Sequence, residues 1–182
     1  IESLAGAVFK PARIARMDSD TMRGADDYEA VLERFRRGEL DILIGTQMIA
    51  KGLHFPNVTL VGIVNADLGL SMPDFRAPER TFQLITQVAG RAGRGDIRGE
   101  VIIQTHNPEN ETIQYAAQQD FDGFSKFDLE FRQLLAYPPY THLIIVHFRG
   151  EDESMVVEFA NGFTAELQRY GHEGIRFAGP SP

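Results

Sequence analysis

Apolar and polar positions alternate along the chain in two rhythms. Apolar residues at Tyr28, Val31, Leu32 and Phe35 form a stripe at helical spacing, and Gly38 closes it, so the pattern predicts a helix over 25–37. Short unbroken apolar runs predict buried strands at 41–45, 58–64 and 100–104, and a brief alternation predicts another at 12–17. Residues 2–9 read as the tail of a helix, 46–51 as a short helix or turn broken at Gly52 and again at Pro56, and 65–73 as a loop. The longest helical stretch is predicted over 76–94. From 109 to 135 the chain is helix-rich, with Phe121, Phe124, Phe127 and Phe131 at near-helical spacing, a stripe we read as packing against the sheet domain rather than as a stacking platform for bases. Tyr137-Pro138-Pro139 ends it, and a strand at 142–148, a helix at 154–170 and a strand at 175–178 are expected to follow.

Strands that alternate with helices, each strand an unbroken apolar run, define an α/β fold: a parallel sheet with helices on both faces. The segmentation predicts one such domain over 1–108, a helical connection over 109–137 and the start of a smaller α/β domain over 138–182. Ligands of parallel sheets gather at the carboxyl ends of the strands. Three polar loops fall at that edge: Asp18-Ser19-Asp20, Thr46-Gln47 and Asn65-Ala66-Asp67.

The end of the 76–94 helix has an unusual composition. Gln87, Arg91 and Arg94 stand at i, i+4 and i+7, on one helical face. Ala89, Gly90, Ala92 and Gly93 between them are small enough to let another surface approach closely. A glycine in a helix interior costs about 1 kcal/mol. An approaching anion met by two guanidinium forks would account for the glycines. Capping by Gly93 and Gly95, with the arginines at the negative end of the helix dipole, would account for them too, and spacing alone leaves both open. In Gly45-Thr46-Gln47-Met48-Ile49-Ala50-Lys51-Gly52 a strand end turns toward a helix, a plausible phosphate seat or an ordinary N-cap with a solvated lysine. It is not a Walker A loop, because Gly52 follows Lys51 where Ser or Thr is required. Gly90-Arg91-Ala92-Gly93-Arg94-Gly95 has the wrong order and place for a dinucleotide loop. The five histidines are scattered, so no metal site is expected, and Asp18 with Asp20 reads more simply as a loop cap than as an acid–base pair.

Composition narrows the classes. Of 182 residues, 43% are hydrophobic and 24% charged, as in a soluble globular protein, and no apolar run approaches the roughly 20 residues of a membrane span. The start has no leader pattern and there is no cysteine, which suits a cytoplasmic protein. A net charge of −8 argues against coating nucleic acid over the whole surface but leaves room for a local basic groove. With no initiator Met and an end just after an expected strand, the chain reads as part of a longer one.

Taken as a pair, GTQMIAKG after a strand and QVAGRAGR on a later helix resemble motifs V and VI of the superfamily 2 helicases. ARMDSD, FPNVTLVG, NADLGL, PDFRAPERTFQL, GEVIIQTHNP and YPP extend the resemblance over nearly the whole chain, toward the replication-restart helicases of the bacterial primosome. The resemblance implies a second RecA-like lobe of an ATP-dependent 3′-to-5′ DNA helicase, followed by the start of a C-terminal domain. By motif position, Arg94 would be the arginine finger and Arg91 would lie beside it. Gln87, Gly90 and Gly52 would also border ATP and its Mg2+, held mainly by a lobe outside this chain. Thr46, Gln47 and Lys51 would face the DNA backbone, and Asp67 would couple the two sites. Primosome proteins and single-stranded-DNA-binding protein are the implied partners, and no membrane is. The family's cysteine-rich zinc insertion would have to precede Ile1. Many relatives in the superfamily place an aspartate where this chain has His54, so that contact is not carried over. The rival reading is a non-catalytic module that binds DNA or a primosome protein and keeps vestigial motor motifs.

Overall fold

The computed structural model describes residues 1–18, 25–46, 58–90, 99–171 and 174–180. Seven helices and four strands follow one another there, and they divide into two compact units, 1–140 and 141–182.

In the first unit, helix α1 (Glu2–Val8) leads into strand β1 (Ile14–Met17), helix α2 (Ala25–Arg36) and strand β2 (Ile42–Gly45). β1 and β2 are parallel, with Ile14 beside Ile42 and Met17 beside Gly45. Leu32 of α2 and Met17 of β1 are fully buried against each other, with Tyr28, Val31 and Leu43 around them, so the predicted stripe faces the strands. The two strand starts are tied by a bidentate pair. Arg13 donates from Nε and its backbone N–H to Asp41 Oδ2, at 2.9 and 2.8 Å, and from Nη2 to Oδ1 at 2.7 Å. These bonds, the side-chain one foremost, hold the Asp41 carboxyl well below the usual carboxylate range.

Strand β3 (Leu60–Ile63), the single-turn helix α3 (Asp67–Leu70), helix α4 (Ala77–Ala89) and strand β4 (Glu100–Ile103) come next. β3 and β4 are also parallel, Leu60 pairing with Glu100 and Ile63 with Ile103. The four strands expected before residue 108 are present, and both ladders run parallel, as expected for an α/β chain. The expected loop over 65–73 contains α3, whose Gly69 seats directly on α4: a Cβ there would stand 2.5 Å from the Thr81 hydroxyl. Thr81 is buried, and its hydroxyl has no hydrogen-bond partner.

The described helix α4 stops at Ala89, with Gly90 as its cap and the Gly90 N–H bonded to Thr86 O at 3.0 Å. The helical stripe drawn through Arg91 and Arg94 therefore lies outside the described residues.

The helix-rich stretch is two helices, α5 (Glu111–Gln118) and α6 (Phe121–Leu134). Gln119 breaks them apart in the left-handed conformation, φ 57°, a common helix C-terminus. Asn110 caps α5 by accepting from the N–H groups of Thr112 and Ile113, and Asp120 caps α6 by accepting from Gly123 N–H. The aromatic stripe is only partly a packing surface. Phe124 is buried and stacks on Phe82 of α4, rings 4.2 Å apart and 6° from parallel, and Phe127 tilts against Tyr115. Phe121 and Phe131 are 65% and 48% exposed, because the stripe runs wider than the contact it makes. Ala66, Phe82, Ile85, Ile113, Ala116 and Phe124 form the second core. At the far end of the same interface, Arg132 of α6 donates from Nη2 to Glu79 Oε2 of α4, 53 residues away, at 2.8 Å.

The second unit is organised on helix α7 (Glu153–Tyr170), capped by Asp152. Phe148 meets Phe159 and Phe163 edge-on at 5.4 and 5.3 Å, above the buried Ala160. The strands expected at 142–148 and 175–178 are not formed among the described residues. Neither segment has a ladder partner there, and Ile144 is 87% exposed. An apolar run supplies strand propensity, but only a neighbouring strand supplies the hydrogen bonds.

Candidate functional site

The carboxyl ends of β3 and β4 are locked to each other. Ala66 N–H donates to Gln104 O at 3.0 Å, and Gln104 N–H to Ile63 O at 2.9 Å. Asp67, in the first turn of α3, accepts from the Thr105 hydroxyl at 2.7 Å and from His106 N–H at 2.9 Å. Those two bonds, His106 N–H first and the Thr105 hydroxyl next, hold the Asp67 carboxyl below its ordinary value. Because the folded value is the lower one, the stabilisation is full above the unfolded value of about 4 and disappears as pH falls through the folded one. Thermal melting of the wild type and of Asp67→Asn from neutral to acid pH should show a gap that closes on acidification. A gap of constant size would show that the carboxylate charge contributes nothing to this clasp.

At the end of β1, Asp18 is buried and accepts from Arg16 Nε, which fits a structural role for this carboxylate better than an acid–base one. Its sequence neighbours Ser19 and Asp20 lie outside the described residues. At the end of β2, Thr46 is exposed. Gln47, Lys51, Gly52 and His54 lie outside the described residues, so their expected places beside DNA or nucleotide rest on sequence.

On α4, Gln87 is exposed in the last turn and Gly90 follows it. Gly90 has φ −64°, an ordinary helical value, and a Cβ there would lie 3.4 Å from Thr86 O, an ordinary contact. Among the described residues, neither backbone conformation nor a close contact sets glycine apart at this place. Arg91 and Arg94 lie outside the described residues.

The donor set assembled on sequence, amide and hydroxyl groups with Lys51, Arg91 and Arg94, suits the phosphates of a nucleotide. It contains no carboxylate, the usual protein ligand of nucleotide-bound Mg2+. Among the described residues no three His, Asp or Glu side chains come together as a cation cage. No described helix is long and apolar enough to cross a membrane.

One polar cluster was not legible in the sequence. Arg132, 9% exposed, joins Asp128 one turn before it on α6 and Glu79 on α4. The i, i+4 spacing of Asp128 and Arg132 reads as a solvated surface pair, and nothing in the sequence announces either their burial or the reach to Glu79.

Comparison with known proteins agrees with the α/β organisation and the two motifs. Residues 4–96 match the helicase conserved C-terminal domain, and the chain belongs to that family. The relatives are more particular. The replication restart protein PriA of Chlamydia trachomatis serovar D is 52% identical over 151 residues, 83% of this chain and 20% of that protein. PriA of Bacillus subtilis is 44% identical over 174 residues, 96% of this chain and 22% of its own length. PriA of Treponema pallidum is 43% identical over 181 residues, 100% of this chain and 27% of that protein. The chain thus spans about a fifth to a quarter of the length of these relatives. Among solved structures, the C-terminal domain of the DEAD-box protein Dbp5 is similar over 72% of this chain at 20% identity, with a TM-score of 0.42.

Proposed function

We propose that this chain is the second RecA-like lobe, with the start of the C-terminal domain, of an ATP-dependent 3′-to-5′ DNA helicase acting in replication restart. The observation that carries the reading is the end of α4. An exposed Gln87 and Gly90 stand immediately before Arg91 and Arg94, inside the segment that matches the helicase C-terminal domain. A glycine at that place leaves the surface bare for a closely approaching partner.

In this reading ATP and its Mg2+ supply the transferable phosphoryl group and are gripped by a companion lobe. Arg94 places a bidentate, permanently charged fork where negative charge develops on that group, with Arg91 beside it. Gln87 and Gly52 orient the nucleotide, and Gly90 leaves room for it. Thr46, Gln47 and Lys51 hold a DNA strand by its backbone, which positions the strand without reading its sequence. Asp67, already tied to the ends of β3 and β4, would transmit strain between the two sites. The domain limits follow the same reading, with the motor lobe over 1–108, the connection over 109–137 and the C-terminal domain from 138. DNA, the other primosome proteins and single-stranded-DNA-binding protein would be the partners, in the cytoplasm, and any zinc would belong to a segment ahead of Ile1.

Half an ATP site hydrolyses nothing. The purified 182-residue chain is expected to show no DNA-stimulated phosphate release in a steady-state assay, and robust turnover by it would overturn the proposal.

A further inference from the structure

α4 is seated on α5 and α6 in two chemically different ways. The apolar seat is Phe82 and Ile85 against Ile113, Ala116 and Phe124. Apolar contact is non-directional, and a core repacks around small shifts at modest cost. The polar seat lies at the start of the helix. Arg132 Nη2 stands 2.8 Å from both Glu79 Oε2 and Asp128 Oδ2. Its guanidinium carbon lies 5.1 Å from the Phe75 ring centroid, and Phe75 stacks on Tyr137 at 5.4 Å.

This cluster is poorly built for stability. Two carboxylates share one guanidinium, and Arg132 Nε is buried with no hydrogen-bond partner. Burial pushes the Asp128 carboxyl above its ordinary value, against the pull of Arg132 and with Glu79 adding to the rise. The Arg132–Asp128 pair is buried, while Glu79 keeps 39% of its side chain exposed. Buried ion pairs are often replaceable by apolar side chains without loss of stability, whereas their directional bonds select one arrangement among several. Glu79 and Gln87 are eight residues apart, about 12 Å along a stiff helix, so a rotation allowed at one reappears at the other.

We infer that the Glu79–Arg132–Asp128 triad is a positioning element, which fixes the rotation and axial register of α4 and thereby aims Gln87 in its last turn. The inference rests on the function proposed above for that helix end. Through it α6, outside the family match, becomes part of the aiming of the nucleotide site.

The test has two arms. In the 182-residue chain, amide hydrogen exchange of Arg132→Met should be about tenfold faster or more over 83–90 while α2 keeps its wild-type rates. In the complete motor, the same variant should lose about 10- to 100-fold in kcat, the effect of a small misplacement. KM for ATP and affinity for DNA should stay within about twofold. Arg132→Lys, which keeps a charge but not the fork, should recover part of the loss. Unchanged exchange over 83–90 in a folded Arg132→Met overturns the inference, as does a kcat loss that merely follows the fraction unfolded. Should Arg132→Met fail to fold, Glu79→Gln, which leaves the Arg132–Asp128 pair in place, decides by the same readouts at a smaller size. A wild-type motor without DNA-stimulated ATP turnover would sink the proposed function instead, and the exchange arm would still decide the triad.

Discussion

Replacing Arg94 with alanine in the complete motor is expected to lower DNA-stimulated ATP turnover by about 10³- to 10⁵-fold, the range over which an arginine finger acts in phosphoryl transfer. That factor corresponds to about 4–7 kcal/mol of transition-state stabilisation. The effect should fall on kcat, because the fork meets charge that develops only as the phosphoryl group moves. Arg94→Lys should rescue little, since an ammonium lacks the planar pair of donors. DNA affinity should be largely kept, because the proposed backbone contacts at Thr46, Gln47 and Lys51 belong to a different motif of the sequence, some forty residues before Arg94. Steady-state kinetics with titrated DNA separate the two quantities. An unchanged turnover number would remove Arg94 from the role.

The second large effect is on stability and involves no ligand. Phe82 is 4% exposed, stacks on Phe124 with ring centroids 4.2 Å apart and also tilts against Phe121 at 6.3 Å. Phe82→Ala should cost about 3–5 kcal/mol, combining lost transfer energy with the cavity left among Ile85, Ile113 and Phe124. Stacking adds about 0.5–1.5 kcal/mol beyond burial for such a pair. Small domains hold only about 5–15 kcal/mol in total, so the loss would take a large share of the first unit's stability. Urea denaturation of the 182-residue chain, followed by helical circular dichroism, measures the loss. Phe82→Leu, which keeps most of the volume, should lose clearly less. A cost for Phe82→Ala below about 1 kcal/mol would mean that α4 does not depend on α6 for its seat.

Several features follow from sequence because their physics is local. Three unbroken apolar runs and one alternating stretch mark β1 to β4, which pair in parallel although they are less buried than such runs suggest. Tyr28, Val31 and Leu32 of the stripe turn toward the strands, since helical spacing gathers them on one face and burying that face lowers the free energy. The motif pair GTQMIAKG and QVAGRAGR, read as a string, was enough to indicate the helicase family.

What only the tertiary structure decided has a common cause, which is dependence on partners distant along the chain. Gln119 adopts the left-handed conformation and splits one predicted helical stretch into two, so that Phe124 can reach Phe82. The run at 142–148 has strand composition, but a strand exists only where another chain segment completes its ladder. Asp67 stands on a strand-end loop in the sequence, and only the fold brings Thr105 and His106, nearly forty residues on, to clasp it. The sequence places Asp128 and Arg132 one turn apart, and only the fold buries that pair and brings Glu79 and Phe75 to it. Periodicity reports which face of an element is apolar. It does not report which face of which other element arrives there, and that arrival alone sets burial, charge pairing and the aim of α4.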